Sequence, residues 1–235
     1  MKEKIVKKYE GFSLVEMLIT IVILGVVMLI SATTLTTLIK VSTVSSNKTA
    51  VRNETEFVLE MVRRTIRNSN PSDVYLFSTY DNRSFDPVNN EIVSDGFDSD
   101  QMRELYQNTL EENEVGNEIH FRPYGFTSWV CVGYFKSTSN PEFGYILKTS
   151  AQNLWDEHES CFQDTSDYSK YTIVLNSEAV DIDSFNISYI KSVDGNYVFK
   201  FDISAQPVNW YLTDGAPVNR EVFRQAVVTT GGLIW

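Results

Sequence analysis

The stretch Gly11-Phe12-Ser13-Leu14-Val15-Glu16 decides how this chain is read, because it opens an apolar run that carries a single acid. Nothing charged follows Glu16 until Lys40, and Lys2, Lys4, Lys7 and Lys8 crowd the residues before Gly11. A carboxylate facing hydrocarbon costs about 3 kcal/mol on insertion scales, so a chain that keeps one there has a use for it. A cut after Gly11 would supply that use, because the new Phe12 amino group would lie near Glu16 and neutralise it. From Phe12 to Ala32 a helix extends about 31 Å, enough to cross a bilayer core. An ordinary secretory signal has a shorter apolar core and small residues at a cleavage site beyond it. Here the candidate cut precedes the run, so the run stays with the mature chain. By the positive-inside rule the lysines hold residues 1–11 in the cytoplasm and send the C-terminal bulk outward.

The segment from the Lys-rich leader through Gly11, Phe12 and Glu16 to Ala32 resembles the type IV prepilin signal. Type IV pilins, type II secretion pseudopilins and competence pseudopilins share that signal. In that family a membrane peptidase cleaves after the glycine and N-methylates the new terminal residue. The resemblance implies that Gly11 precedes the cut, that Phe12 becomes the methylated terminus and that Glu16 is the family's carboxylate, used in assembly. It also implies an α+β, pilin-like fold, with a long N-terminal helix packed on an antiparallel β-sheet. The match covers about a quarter of the sequence. Length suggests a minor component, and the Arg-rich end of the long helix resembles the J/W class of minor pseudopilins.

Composition bounds the rest. Removing residues 1–11 takes away four Lys and two Glu, leaving 16 basic against 29 acidic residues and moving the formal charge from −11 to −13. Bulk electrostatics make such a chain a poor partner for nucleic-acid phosphates. Nucleic acid enters as a partner only if the system is one for competence. About 165 residues from Pro71 onward suit one compact domain rich in strand-forming residues.

The helix that starts in the membrane is expected to continue over residues 33–70. Ser31 to Ser46 is rich in Thr, Ser and Val, mediocre helix formers, but no proline intervenes before Pro71. Val51, Glu54, Val58, Met61, Val62, Thr65 and Ile66 fall at three- and four-residue spacings, a stripe suited to lie against a sheet. Asn68-Ser69-Asn70-Pro71 stops the helix. Gly25 reads either as a soft point or as a close-packing position between membrane helices.

Beyond Pro71 the pattern, over residues 71–235, is one of strands: Val74–Ser78, Glu118–Arg122, Ser128–Phe135, Phe143–Thr149 and Val222–Thr230. The clearest hairpin joins Asp183–Ser192 to Tyr197–Ala205 across Val193-Asp194-Gly195-Asn196. Asp81 to Asn117 is an acidic, polar insertion (81–117), within which Ser99–Asn113 reads as a short helix capped by Ser99.

Cys131 and Cys161 are the only cysteines. In an exported chain they invite one disulfide, worth about 3 kcal/mol in the chain-entropy model. The alternative is zinc held by His158, Cys161, Cys131 and His120, although that spacing matches no standard site. Asp95, Asp98, Asp100 and Glu104 cluster near Gly96, but their order does not fit a calcium loop, and a solvated acidic loop is favoured. The Asp181/Asp183 pair reads as strand-flanking. No phosphate-binding glycine loop and no hydrolase elbow occurs, so neither catalysis nor a cofactor is expected.

Two classes of function follow. In the first, the chain is a non-catalytic structural subunit of a pilus, secretion or competence filament. It would be processed by prepilin peptidase, lodged in the cytoplasmic membrane and assembled by an inner-membrane platform together with other pilins or pseudopilins. In the second, it is a membrane-anchored binding or adhesion protein that does not polymerise. Glu16 separates the two, because a simple anchor gains nothing from a buried carboxylate.

Overall fold

A computed structural model describes residues 11–79, 83–94, 109–149, 161–162, 172–193, 196–208 and 221–230. The chain divides into two compact units, Met1–Ser46 and Asn47–Trp235. One helix, α1 (Leu14–Arg67), runs through the boundary between them.

In the first unit α1 buries nothing. No residue from Leu14 to Ser46 is buried, and nearly all of its Leu, Ile, Val and Met side chains stand in the open, Val44 being half-buried. Six hydroxyls are satisfied within the helix: Thr20, Ser31, Thr34, Thr36, Thr37 and Thr43 each donate to the carbonyl four residues back. Back-bonding of this kind lets a Thr-rich helix enter an apolar medium with few unmet donors. A Cβ placed on Gly25 would meet nothing within 4 Å, so no contact inside this chain demands that glycine.

In the second unit the same helix acquires a buried face. Val51, Thr55, Val58, Leu59, Val62 and Ile66 are buried, and the spacing is that of one helical stripe. Glu54, half-buried at the edge of the stripe, accepts hydrogen bonds from the backbone and hydroxyl of Ser177. The helix stops at Arg67, and the chain turns directly into a strand.

The larger sheet contains β1 (Ser69–Phe77), β2 (Arg83–Asp86), β3 (Glu91–Ser94), β4 (Glu118–Pro123), β5 (Val130–Ser137), β6 (Gly144–Thr149) and β7 (Thr172–Val174). Its main path runs β1-β4-β5-β2-β3, and β6 joins β5 to β7. The second sheet is a three-stranded meander of β8 (Val180–Lys191), β9 (Tyr197–Pro207) and β10 (Val222–Thr229). A bridge between Gly116 and Ile187 links the two sheets. The larger sheet is not wholly antiparallel: β2 pairs parallel to β5 through Ser84–Lys136 and Phe85–Ser137.

Alternation along β5 gives the head two cores. Val130, Val132 and Tyr134 join the stripe of α1 and the inner residues of β8, β9 and β10, among them Phe185, Phe201 and Ile203. Cys131 and Phe135 point the other way, into a second cluster with Phe85, Trp129, Tyr145, Leu147, Cys161 and Phe162. Asn176 ties the sheets together by bonding the backbones of Ile146, Gly144 and Val180. Gly144 is required there, since a Cβ would collide with the Ile182 carbonyl and the Tyr134 ring.

Several elements differ from the sequence reading. β1 begins at Ser69 rather than Val74, with a register break between those residues that accommodates Pro71. Residues 83–86 and 91–94, expected as polar insertion, form a hairpin instead. Of the helix expected over Ser99–Asn113, residues 99–108 lie outside the described residues. Thr109–Asn113 is not helical, because the Leu110 amide bonds to the Leu76 carbonyl instead. The acids Asp95, Asp98, Asp100 and Glu104, the Asp194-Gly195 turn and His158 also lie outside the described residues.

Candidate functional site: the start of the helix and the buried head cluster

Gly11, Phe12 and Ser13 precede the helix, and Leu14 is its first residue. Ser13 is the cap: its carbonyl accepts the Met17 amide at 3.1 Å, while its own amide donates to the Glu16 carboxylate at 3.0 Å. This backbone half of a capping box means that Glu16 has a local partner within one turn. The sequence signal was Ser13-x-x-Glu16, which sequence reasoning passed over in favour of the Phe12 amine. Phe12 is 77% exposed, and a Cβ on Gly11 would meet nothing within 4 Å. Among the described residues, no contact requires glycine at position 11.

The second constellation lies in the head. Cys131 on β5 and Cys161 are joined by a disulfide, with Cα atoms 6.1 Å apart. His120 on β4 lies beside them, its ring nitrogen and the two sulfurs falling within 4.8 Å of one another. With the sulfurs bonded to each other, neither is a thiolate ligand in this state. Around His120 sequence reasoning missed a buried ion cluster. Glu118 and His120, two residues apart on β4, share the face opposite Ile119 and Phe121. The Glu118 carboxylate meets His120 Nε2 at 2.6 Å, accepts the Thr79 hydroxyl at 2.9 Å and is ion-paired with Arg83 of β2. Arg83 also donates to the Phe162 carbonyl at 3.1 Å, with its guanidinium 5.2 Å from the Phe135 ring centre. The pair has side chains wholly removed from solvent. The cost of desolvating both charges offsets their attraction, so the pair adds little net stability although it joins β2 to β4.

A third group of acids lies near the end of the head where Ser177 meets Glu54. Asp183 is pushed up to about 6, by burial first and then by the charges of Asp181 and Glu221, against hydrogen bonds from Gln206 and Ser204. Asp181 is also raised, by burial and by Glu142, against bonds from Gly144 and Gln206. Both acids lie within β8 rather than flanking a strand.

With this geometry in view, residues 6–32 match the prokaryotic N-terminal methylation motif, the prepilin-type signal of type IV pilins. No curated protein and no solved structure matches the chain. The matched segment ends inside the stretch of α1 in which nothing is buried, and that helix is long and apolar enough to cross a membrane. The chain therefore carries a prepilin-type signal at its N-terminus, continuous with an apolar helix of membrane-crossing length, and an α+β, pilin-like arrangement in which that long helix packs on β-sheets.

Proposed function

We propose that this chain is a non-catalytic minor pilin or pseudopilin. Prepilin peptidase cuts after Gly11 and methylates Phe12. The chain then waits in the cytoplasmic membrane with its head outside until a platform draws it into a pilus, secretion or competence filament. One observation carries this reading: the methylation motif leads into 33 helical residues, Leu14–Ser46, of which none is buried within the chain. Apolar surface on that scale needs lipid or other helices to cover it. Glu16 then serves registration, exchanging the Ser13 amide for the Phe12 amine of its own or an adjacent subunit once that amine exists.

A second reading is favoured by one specific contact. Because Glu16 already accepts the Ser13 amide, its carboxylate has a use in a plain anchor that never polymerises. Mass spectrometry of the protein from a host that has the peptidase tests the primary reading at its first step. The expected mature chain begins at N-methylated Phe12. Retention of Met1 would sink it.

A further inference from the structure

Three metal-ligating side chains meet beside the second core of the head, and each is positioned by contacts other than the disulfide. His120 on β4 and Cys131 on β5 are direct partners in the antiparallel ladder, on the face away from Ile119 and Val132. Next to Cys161, the Phe162 carbonyl accepts a bond from Arg83, and the Phe162 ring packs edge-on against Phe135 with centroids 5.0 Å apart. All three ligating side chains are completely buried. A disulfide alone needs no histidine across from it, nor a carboxylate behind that histidine. Glu118 accepts from His120 Nε2 at 2.6 Å, which puts the proton on Nε2 and the lone pair on Nδ1. Metal-bound histidines carry this kind of carboxylate partner, because it fixes the tautomer and makes the ring a stronger ligand.

Distance and charge both suit zinc. A tetrahedral zinc ion, with bonds of about 2.3 Å to sulfur and about 2.1 Å to nitrogen, sets its ligand atoms about 3.6–3.8 Å apart. With the disulfide closed, a His120 ring nitrogen and the two sulfurs already fall within 4.8 Å of one another. Once the sulfurs part to ordinary non-bonded contact, shifts on the order of 1 Å complete the arrangement. Two thiolates balance one divalent ion, and Glu118 balances Arg83, so the buried site gains no net charge. A monovalent soft ion would leave one negative charge buried there.

We propose that reduction of the Cys131–Cys161 disulfide turns this cluster into a zinc site held by both sulfurs and by His120. Disulfide and metal are then mutually exclusive links between β5 and Cys161. Opening the disulfide takes two electrons and adds one hydrogen to each sulfur. A dithiol reductant gives up both hydrogens and closes to its own disulfide; with a phosphine, water supplies the hydrogens and its oxygen goes to phosphorus. Zinc then bonds both sulfurs and the imidazole, and the two thiol protons pass to solvent. Three protein ligands leave the fourth position of the tetrahedron to water. The site is independent of the subunit reading above, because all of its parts lie in the head.

The test uses the full-length protein in detergent, reduced with a phosphine, incubated with zinc alone and freed of unbound metal by gel filtration. Metal analysis should find one zinc per chain on the reduced protein and none on the oxidised protein. Cobalt in place of zinc should give a thiolate-to-metal charge-transfer band and the intense visible bands of a tetrahedral site. Cys131→Ser with Cys161→Ser should abolish binding, and His120→Gln should weaken it about a hundredfold and alter the cobalt spectrum. Reoxidation of His120→Gln to a form that no longer reacts with maleimide verifies that this variant folds. A reduced wild-type chain that holds no zinc would overturn the site. So would equal zinc on the oxidised protein or on the double serine variant, or an affinity and spectrum that His120→Gln leaves unchanged.

Discussion

The two halves of α1 share one backbone and have opposite surfaces. From Leu14 to Ser46 no side chain is buried and six hydroxyls fold back on the helix, whereas from Val51 to Ile66 one stripe is buried under the sheets. The first half offers apolar surface that no described residue buries, and the second is covered by the head. The difference teaches that helix propensity decides little here, since Thr- and Val-rich turns and Glu- and Arg-rich turns are equally helical. What each turn buries decides its role.

Truncation at matched positions gives the largest expected separation between the halves. Ile66→Ala removes a wholly buried side chain and should cost the head about 2–5 kcal/mol, seen as a lower urea midpoint or melting temperature. Leu24→Ala removes an exposed one and should leave head stability within about 0.5 kcal/mol. Equal losses from both would break the comparison.

A smaller effect sharpens it, because acid-dependent stability should come from the head. Asp183 has a carboxyl raised above its unfolded value, so the folded state holds its proton more tightly. The stabilisation is full below the unfolded value of about 4 and is lost as pH rises through about 6. Asp183→Asn should therefore raise the melting temperature of the head at pH 7.5 and change it little at pH 4. The gain is at most about 1 kcal/mol, because Asp183 keeps much of its surface in water even though its neighbours partly desolvate the carboxyl, and solvent screens the charge. A loss of stability at pH 7.5 would mean that the Gln206 and Ser204 bonds outweigh the repulsion.

These outcomes depend on parts of the molecule that were unequally legible. The hairpin of β8 and β9 was readable because Phe185, Ile187 and Tyr189 alternate and pair with Ile203, Phe201 and Phe199 in register. The α1 stripe was readable at Val51, Val58, Val62 and Ile66, although Thr55 and Leu59 also belong to it. Strands β2 and β3 were not, because Arg83-Ser84-Phe85-Asp86 and Glu91-Ile92-Val93-Ser94 have too few apolar residues to show a period. Their strand character comes from each other and from the end of β5, which is non-local. The buried cluster was hidden for the same reason: Arg83 sat in a segment read as solvated, and only the fold brings it to Glu118 and His120. At the helix start the Ser13-x-x-Glu16 spacing was present in the sequence but carried two meanings, a cap and a membrane charge.

Separating those two meanings is the most direct test of the central claim, that the open half of α1 is an assembly surface registered by a charge. Glu16→Gln keeps a side-chain carbonyl that can accept the Ser13 amide and removes the charge that can meet a Phe12 amine. The measurement is cross-linking or co-purification of wild-type and Glu16→Gln protein with the other pilins, at matched membrane levels. The subunit account predicts unchanged leader cleavage, membrane insertion and head folding, with incorporation reduced about tenfold or more, the scale of one lost buried charge pair. Incorporation equal to wild type would contradict it, leaving Glu16 as the cap of an anchor helix.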